Sequence, residues 1–350
     1  MPKALVELLL HPNKVYKENY YPEMEEKSKL QIFWDQCVNT LKHGSIDEFY
    51  YQYGLNVKNF RHSDEYILYS TFARRRNKLN LASKHNSSVI LRNKLYFGVF
   101  AKAFGINTPE NIALVRNSDV LLLGEGKHVS IEQLLASHTG IFFCKPMDGE
   151  CGTGVFKLDI TSNGIKINDS KADVVTFATM LEGQDFIIQR SITQHKTLSE
   201  IHPASINTLR IVSVRSLKDN KIYILPSILR IGTNGSVVDN TSQGGVAVGF
   251  DLSTGRLNEY GLQKSKFGLR IDTHPNSKIK FSEYTIPYVK EAIEQAKYFH
   301  SLLNLHSVGW DIAIGEDGPI FIEGNDNWEI NGPQSCNKGL AKEFKEYFFQ

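Results

Sequence analysis

From Ile141 onward the chain is dominated by short apolar runs rich in β-branched and aromatic residues: Ile141–Cys144, Val155–Ile160, Phe186–Gln189, Leu209–Val214, Ile222–Arg230 and Val246–Phe250. Runs of this length and composition read as strands. One long amphipathic stretch, about Pro287 to Leu303, interrupts them as a helix and leads into two more strands, Val308–Ile314 and Ile320–Glu323. These last two are joined by Gly315-Glu316-Asp317-Gly318, a hairpin signal. Strands grouped in runs, with helices between them, define an α+β architecture with largely antiparallel sheets.

The stretch before these runs has another period. To about Ser87, charged and aromatic residues mix at helical spacing, as in Ile32, Phe33 and Trp34, then Leu41, Phe49, Tyr50 and Tyr51. Tyr66 to Arg76 has the pattern of a further helix, and its basic run Arg74, Arg75, Arg76 reads as a solvated helix end. Residues 1–87 are therefore expected to form a helical region packed on the rest of the chain. Leu91 to Phe104 is helical in spacing and stops at Gly105, a C-cap glycine ahead of Pro109.

Length and charge narrow the function classes. The 350 residues are enough for roughly two or three subdomains sharing a large core. Forty basic and 38 acidic residues leave a formal charge of +2, so no strong field steers the chain toward nucleic acid. The apolar stretch Ala4 to Leu10 is short and soon followed by Pro12, Asn13 and Lys14. It does not make a signal peptide, and no run approaches a membrane span, so a cytoplasmic protein is expected. Cys37, Cys144, Cys151 and Cys336 are scattered, with no CxxC pair. That argues against zinc and disulfides and for small packing residues.

Three constellations carry chemistry. In Phe143 to Val155 a strand delivers Lys145, a loop with Gly149, Gly152 and Gly154 follows, and a second strand leaves. Glycines let backbone N–H groups approach phosphate oxygens, and a lysine adds a point charge. The Walker pattern GxxxxGK[ST] is absent, and a plain hairpin loop with a surface lysine is the alternative. The second constellation is Asp311 on one hairpin strand with Glu323 and Asn325 at the end of the next. Alternation can place the three on one face. Two carboxylates and an amide oxygen suit Mg²⁺, and two exposed hairpin acids are the alternative. The third is Arg210 and Arg230, each on an apolar strand, followed by Asn240-Thr241-Ser242-Gln243-Gly244-Gly245. An arginine there needs an anionic partner, which a structural salt bridge would also supply.

The order of these elements resembles the ATP-grasp superfamily, specifically its sugar-transfer-associated branch. The resemblance covers most of the chain and is strongest from about Asn93 to Asn325. It rests on "NKLYFGVFAKAFGINTP", "KPMDGECGTG", "QHKTLSEIHPASINTLRI", "VDNTSQGG", the His274-Pro275 pair and "GWDIAIGEDGPIFIEGN". The order of arginines, asparagine and Gly-Gly is also similar to ribosomal-protein glutamate ligases.

The resemblance implies an ATP-grasp fold, two α+β subdomains gripping ATP between antiparallel sheets, with a helical N-terminal region. The implied division is a helical region 1–87, an N-terminal part 88–192 with a glycine-rich lid, and a C-terminal part 193–350 with the magnesium and substrate site. It implies that Lys94 and Lys145 contact ATP phosphates, with Gly149, Gly152, Thr153 and Gly154 in a lid over them. Gln189, Arg190, Ser191 and Ile192 would be the adenine hinge, although family members often carry glutamate at the position of Gln189. Asp311, Glu323 and Asn325 match the ligands of magnesium, with two ions implied. Arg210 and Arg230 match arginines near the transferring phosphate and acyl substrate, and Asn240 joins them as a catalytic residue.

These roles imply an ATP-dependent carboxylate–amine ligase that works through an acylphosphate. The branch name suggests an acidic sugar as acyl donor, an amino acid or amine as acceptor, and polysaccharide-assembly enzymes as partners, by analogy alone. A sugar kinase would use the same ATP site, leaving a stable phosphoester where a ligase releases phosphate. A non-catalytic nucleotide-binding module and a purely structural protein are the other readings.

Overall fold

The β-type runs pair into two antiparallel sheets, each with helices against it. A computed structural model describes residues 3–82, 85, 87–116, 119–147 and 153–350. The first sheet has eight strands: β1 (Asn111–Arg116), β2 (Asp119–Leu122), β3 (Lys127–Val129), β4 (Gly140–Pro146), β5 (Phe156–Thr161), β6 (Gly164–Ile167), β7 (Ser170–Ala172) and β8 (Phe186–Arg190). Their order is β3-β2-β1-β8-β4-β5-β6-β7. The second sheet has seven: β9 (Thr208–Arg215), β10 (Ile222–Ile231), β11 (Val246–Phe250), β12 (Leu257–Leu262), β13 (Arg270–Ile271), β14 (Ser307–Gly315) and β15 (Gly318–Asn325), in the order β13-β12-β11-β10-β9-β14-β15. All the pairings are antiparallel, as expected for an α+β chain.

Each sheet has its own core. On the first, Ala113, Val115, Phe142, Cys144, Phe186 and Ile188 pack with Leu134 of helix Ile131–Ser137 and Phe177 of helix Val174–Met180. On the second, Leu209, Ile211, Leu229 and Trp310 pack with Ala292, Ala296 and Phe299 of helix Val289–Ser301. The expected helix Leu91–Phe104 is two helices, Ser88–Arg92 and Lys94–Ala103. Extended Asn93 separates them, and its side chain accepts the Tyr96 N–H as an N-cap. The second of them links the cores, with Leu95 against Leu114, Met147 and Ile187 of the first sheet and Phe97 and Ala101 in the core of the second.

The N-terminal region is helical as expected, in Lys3–Leu10, Lys29–His43 and Tyr69–Asn80, though not throughout. Helix Lys29–His43 has a full capping box from Ser28 and Gln31, but Phe49, Tyr50 and Tyr51 lie in a series of turns. Their rings pack against Ile228, Ala247 and Leu262 of the second sheet, so the apolar spacing reflects burial without a helical backbone. The basic run is a second correction. Arg76 is buried on helix Tyr69–Asn80 and donates to the Trp328 carbonyl and Asn327 Oδ1. Arg75 donates to the Phe348 carbonyl at 2.6 and 2.9 Å. These arginines satisfy orphan carbonyls at the chain's C-terminal end, a task that helix-end statistics do not reveal.

Candidate active site

The strand order β10-β9-β14-β15 sets the charged residues side by side. Register pairs Arg230 with Thr208, Arg210 with Asp311, and Asp311 with Glu323. Alternation puts this row on one face, while the intervening Leu209, Leu229 and Trp310 point into the core. Between β14 and β15 the register shifts: Asp311 faces Glu323 but Ile312 faces Phe321. Ile322 is the extra residue of a bulge, and a bulge re-aims side chains. Ile322 and Glu323 both line a cavity of about 190 Å³, together with Asp311 and Arg230.

Asp311 is the hub of this row. It is 2% exposed, and its two oxygens accept from Arg210 Nε and Nη2, the latter at 3.0 Å, and from Arg230 Nη2 at 2.9 Å. Burial alone would raise its pKa, but the two guanidiniums hold the carboxyl well below the usual range. Arg230 also donates to Thr208 Oγ1 at 2.7 and 3.0 Å and lies 3.4 Å from Asp239 Oδ2. Asp239 in turn accepts from the Thr208 N–H at 3.0 Å and from its hydroxyl. Burial works against the Arg230 charge, yet Asp239, Asp311 and Glu323 keep it more firmly protonated than a free arginine. The two arginines therefore converge on one carboxylate of the protein itself.

Glu323 is the contrasting acid. Burial, and then the neighbouring Asp311 charge, push its pKa up, and Asn325 Nδ2 donates to its Oε1 at 3.2 Å. Two crowded carboxylates and an adjacent amide form a hard-oxygen donor set whose repulsion a divalent cation would relieve. Among the described residues no three or more His, Cys, Asp or Glu gather into a metal site. The chemistry of the two carboxylates and the amide fits an ion such as Mg²⁺, which binds through one or two carboxylates with water and substrate phosphates completing its shell.

The first sheet supplies the opposite wall. Phe143 pairs with Gln189 and Lys145 with Ile187, and Phe143, Lys145 and Gln189 line the cavity. Burial disfavours the Lys145 ammonium and brings its pKa down to about 8; Glu323 offsets this in part and nearby Lys94 adds to it. Lys94, at the start of its helix, also lines the cavity and reaches the Met147 carbonyl at 3.4 Å. Gln189 donates through Nε2 to Asn111 Oδ1 at 2.7 Å. A Cβ at Gly98 would sit 2.3 Å from Asn111 Nδ2, so a side chain there would displace this amide from its present position. Arg190 pairs with Glu110 at 2.7 Å and lies over the Phe142 ring.

The remaining candidates fall around this core. Ile192 and Asn240 line the cavity, and the Asn240 side chain accepts the Ser242 N–H at 2.9 Å, capping the turn Thr241–Gln243. Arg210, Ser191, Thr153, Gly154 and Asn325 are not among the cavity-lining residues. Arg210 reaches the site through Asp311, and Asn325 through Glu323. Ser191 donates its backbone N–H to the Ile141 carbonyl. Gly154 has a positive φ of 73° and lies against Pro146. Gly149 and Gly152 lie outside the described residues. Sequence reasoning passed over Thr208, Asp239 and Asn111. The first two stand inside motifs that carry the resemblance, and Asp239 directly precedes Asn240, so a search for partners of the buried arginines was the available signal.

The model of the sugar-transfer associated ATP-grasp family matches residues 74–347, and the chain belongs to that family. Comparison with curated proteins gives no match. Among solved structures, similar chains include the ADP complex of the N5-carboxyaminoimidazole ribonucleotide synthetase purK, at 13% identity and a TM-score of 0.41 over 67% of this chain and 45% of that one. D-alanyl-alanine synthetase A from Vibrio cholerae has 13% identity and a TM-score of 0.41 over 75% and 63% of the two chains. N5-carboxyaminoimidazole synthetase from Staphylococcus aureus, complexed with ADP, has 11% identity and a TM-score of 0.37 over 68% and 44%. The match thus spans less than two thirds of each of these solved chains. Among the described residues no helix is long and apolar enough to cross a membrane.

Proposed function

We propose that the protein is an ATP-dependent carboxylate–amine ligase that activates its acid as an acylphosphate. One observation carries this reading: two antiparallel sheets face one cavity with lysines on one wall and a buried acid–arginine row on the other. Lys94 and Lys145 would meet the phosphates of ATP, and Gln189 with the segment to Ile192 would hold the base and ribose. Asp311, Glu323 and Asn325 would hold magnesium, which supplies charge neutralisation at the phosphates when bound. The same reading assigns nucleotide binding chiefly to residues 88–192 and the acid and metal chemistry to 193–350.

The arginine pair then has a specific task. Asp311 engages both guanidiniums, and a cation held by Asp311 would compete with them for its lone pairs. The fork of Arg210 or Arg230 would then be available to a substrate carboxylate or to the transferring phosphoryl group. Positive charge is needed at that point twice, first as the γ-phosphoryl group passes from ATP to the carboxylate with ADP leaving, and then as the amine adds to the acyl carbon. Apolar walls such as Phe143 and Ile322 would help keep water from the acylphosphate. An acidic sugar as acyl donor and an amino compound as acceptor are suggested, by analogy, by the sugar-transfer wording of the family description. ADP and phosphate release should appear only when a sugar acid and an amine are both present, in an assay against panels of each. Nucleotide turnover that leaves a stable sugar phosphate, with no free phosphate, would replace the ligase with a kinase.

A further inference from the structure

The N-terminal region ends against the strand that carries Glu323 and Asn325. Asp326 follows Asn325 directly and is 6% exposed. Arg92 donates to both of its oxygens, Nε at 3.2 Å and Nη2 at 2.8 Å. Asn80, buried on helix Tyr69–Asn80, donates to the Asp326 carbonyl at 2.8 Å and the Ser307 carbonyl at 3.1 Å. Its Oδ1 accepts the His306 and Ser307 N–H groups at 3.1 and 3.0 Å. One amide thus ties the start of β14 to the end of β15. Arg76 holds the next two residues, Asn327 and Trp328. Gly324, between the two candidate ligands, lies so close to the helix bearing Arg92 that a Cβ would stand 2.8 Å from Leu91.

We propose that Arg92 is a positioning residue for the Glu323–Asn325 end of β15, with Asn80 and Arg76 as its backing. The inference rests on the ligase reading, since it concerns the cation site that reading assigns. Three observations support it. The bidentate geometry fixes the Asp326 carboxylate in plane as well as in distance. The exposed arginine, 63% accessible, serves a carboxylate that is almost fully buried, so the pair orients the acid more than it fills a core. The strand end has to stay in place while Glu323 and Asn325 exchange a mutual hydrogen bond for a cation. Outer-shell groups of this kind typically change metal affinity by 10–100-fold when lost.

The test uses the full-length chain and Mn2+ with ADP as the probe, following free Mn2+ by electron paramagnetic resonance. Arg92→Lys keeps the charge and loses the fork, and Asp326→Asn keeps the shape and loses the charge. Both should weaken Mn2+ uptake about tenfold, with ADP binding in the absence of metal and the melting temperature close to the parent's. A parent chain that takes up no Mn2+ with ADP overturns the ligase reading together with this inference. A parent that does so, with both variants matching it, overturns this inference alone. Variants that melt earlier yet bind Mn2+ as the parent does assign Arg92 to stability and overturn it as well.

Discussion

Asp311 on the second sheet and Lys145 on the first face the same cavity, but they are held in opposite ways. Asp311 sits between two arginines, and one of them, Arg230, has further partners in Thr208 and Asp239, which are bonded to each other. Lys145 has no salt bridge among the described residues; its charge is weakened by burial and by Lys94. The second sheet's site-bearing face is also covered beyond the site. Val212 and Val214 continue the strand of Thr208 and Arg210, and they pack with Phe72 and Trp328. The N-terminal tyrosines cover Ile228, Ala247 and Leu262. One wall is therefore a network whose members depend on one another, and the other carries a cation that waits for its counter-charge.

That difference predicts how each wall fails. Asp311→Asn should be the most damaging change. It leaves two buried guanidiniums short of a partner, and breaking a buried ion pair from one side costs about 3–5 kcal/mol. Denaturant unfolding should show that loss, along with the disappearance of ADP formation. Glu323→Gln removes the acid whose charge burial and Asp311 both oppose. It should abolish metal-dependent turnover while stability at neutral pH holds or rises. Equal destabilisation by the two variants would contradict the network description.

The next effect is electrostatic and also belongs to the second half of the chain. His300 and His306 are buried, each donates Nε2–H to a carbonyl, and the Nδ1 of each has no hydrogen-bond partner among the described residues. Burial brings their pKa values down to about 3 and about 4 from 6.5. As pH falls below about 6.5 the unfolded chain takes up these protons before the folded one, so stability is full above that value and is lost below it. At about pH 5 the loss should be on the order of 2 kcal/mol for each ring. Trp310 and Trp328 lie in this half and report it by fluorescence. Urea titrations with equal midpoints at both ends of that range would refute the assignment.

On the first wall the expected effects are smaller and concern binding. Lys145→Ala should weaken Mg-ATP binding by roughly 1.5–3 kcal/mol, the worth of a hydrogen bond to a charged group, with little change in stability. Because the ammonium is charged below about 8 and neutral above it, ATP affinity should fall as pH rises through that value. Calorimetry near it should detect proton uptake on binding, and the alanine variant should lose both signatures. The smallest effect is expected at Arg190→Ala. Its pair with Glu110 is half-exposed, and such pairs contribute about 0–1 kcal/mol. A larger loss of unfolding stability would show that this end of β8 is held electrostatically.

How much of this could be read from residues depends on the same contrast. The hairpin of β14 and β15 was legible from its two-residue turn, but strict register from that turn would set Asp311 opposite Ile322, and the bulge that brings Glu323 there was not legible. The apolar runs of β4, β8, β9, β10 and β11 were legible from composition. Strands β6, β7, β12 and β13 were not, because they are short and mix charged with apolar residues, as in Leu257–Leu262. β1 escaped although Asn111–Arg116 is apolar at its centre. The candidate site residues were named one at a time, and register brought Arg210, Arg230, Asp311 and Glu323 into one row. For the arginines, the salt-bridge alternative is what the structure shows, since both hold Asp311; a linear reading could not say which carboxylate they would share. Nor did it reveal Arg76 and Asn80 as supports for β15, since their partners lie some 250 and 230 residues away.

The central claim is that a substrate carboxylate is activated by phosphoryl transfer. It is tested most directly by following a heavy-oxygen label from that carboxylate. Acidic sugars labelled in the carboxyl group, incubated with the protein, Mg-ATP and a panel of amines, should yield inorganic phosphate carrying one labelled oxygen. That is the product of an acylphosphate opened at its carbonyl by an amine. Labelled oxygen that stays wholly in the sugar, with the phosphoryl group on a hydroxyl or with unlabelled phosphate released, would contradict the account.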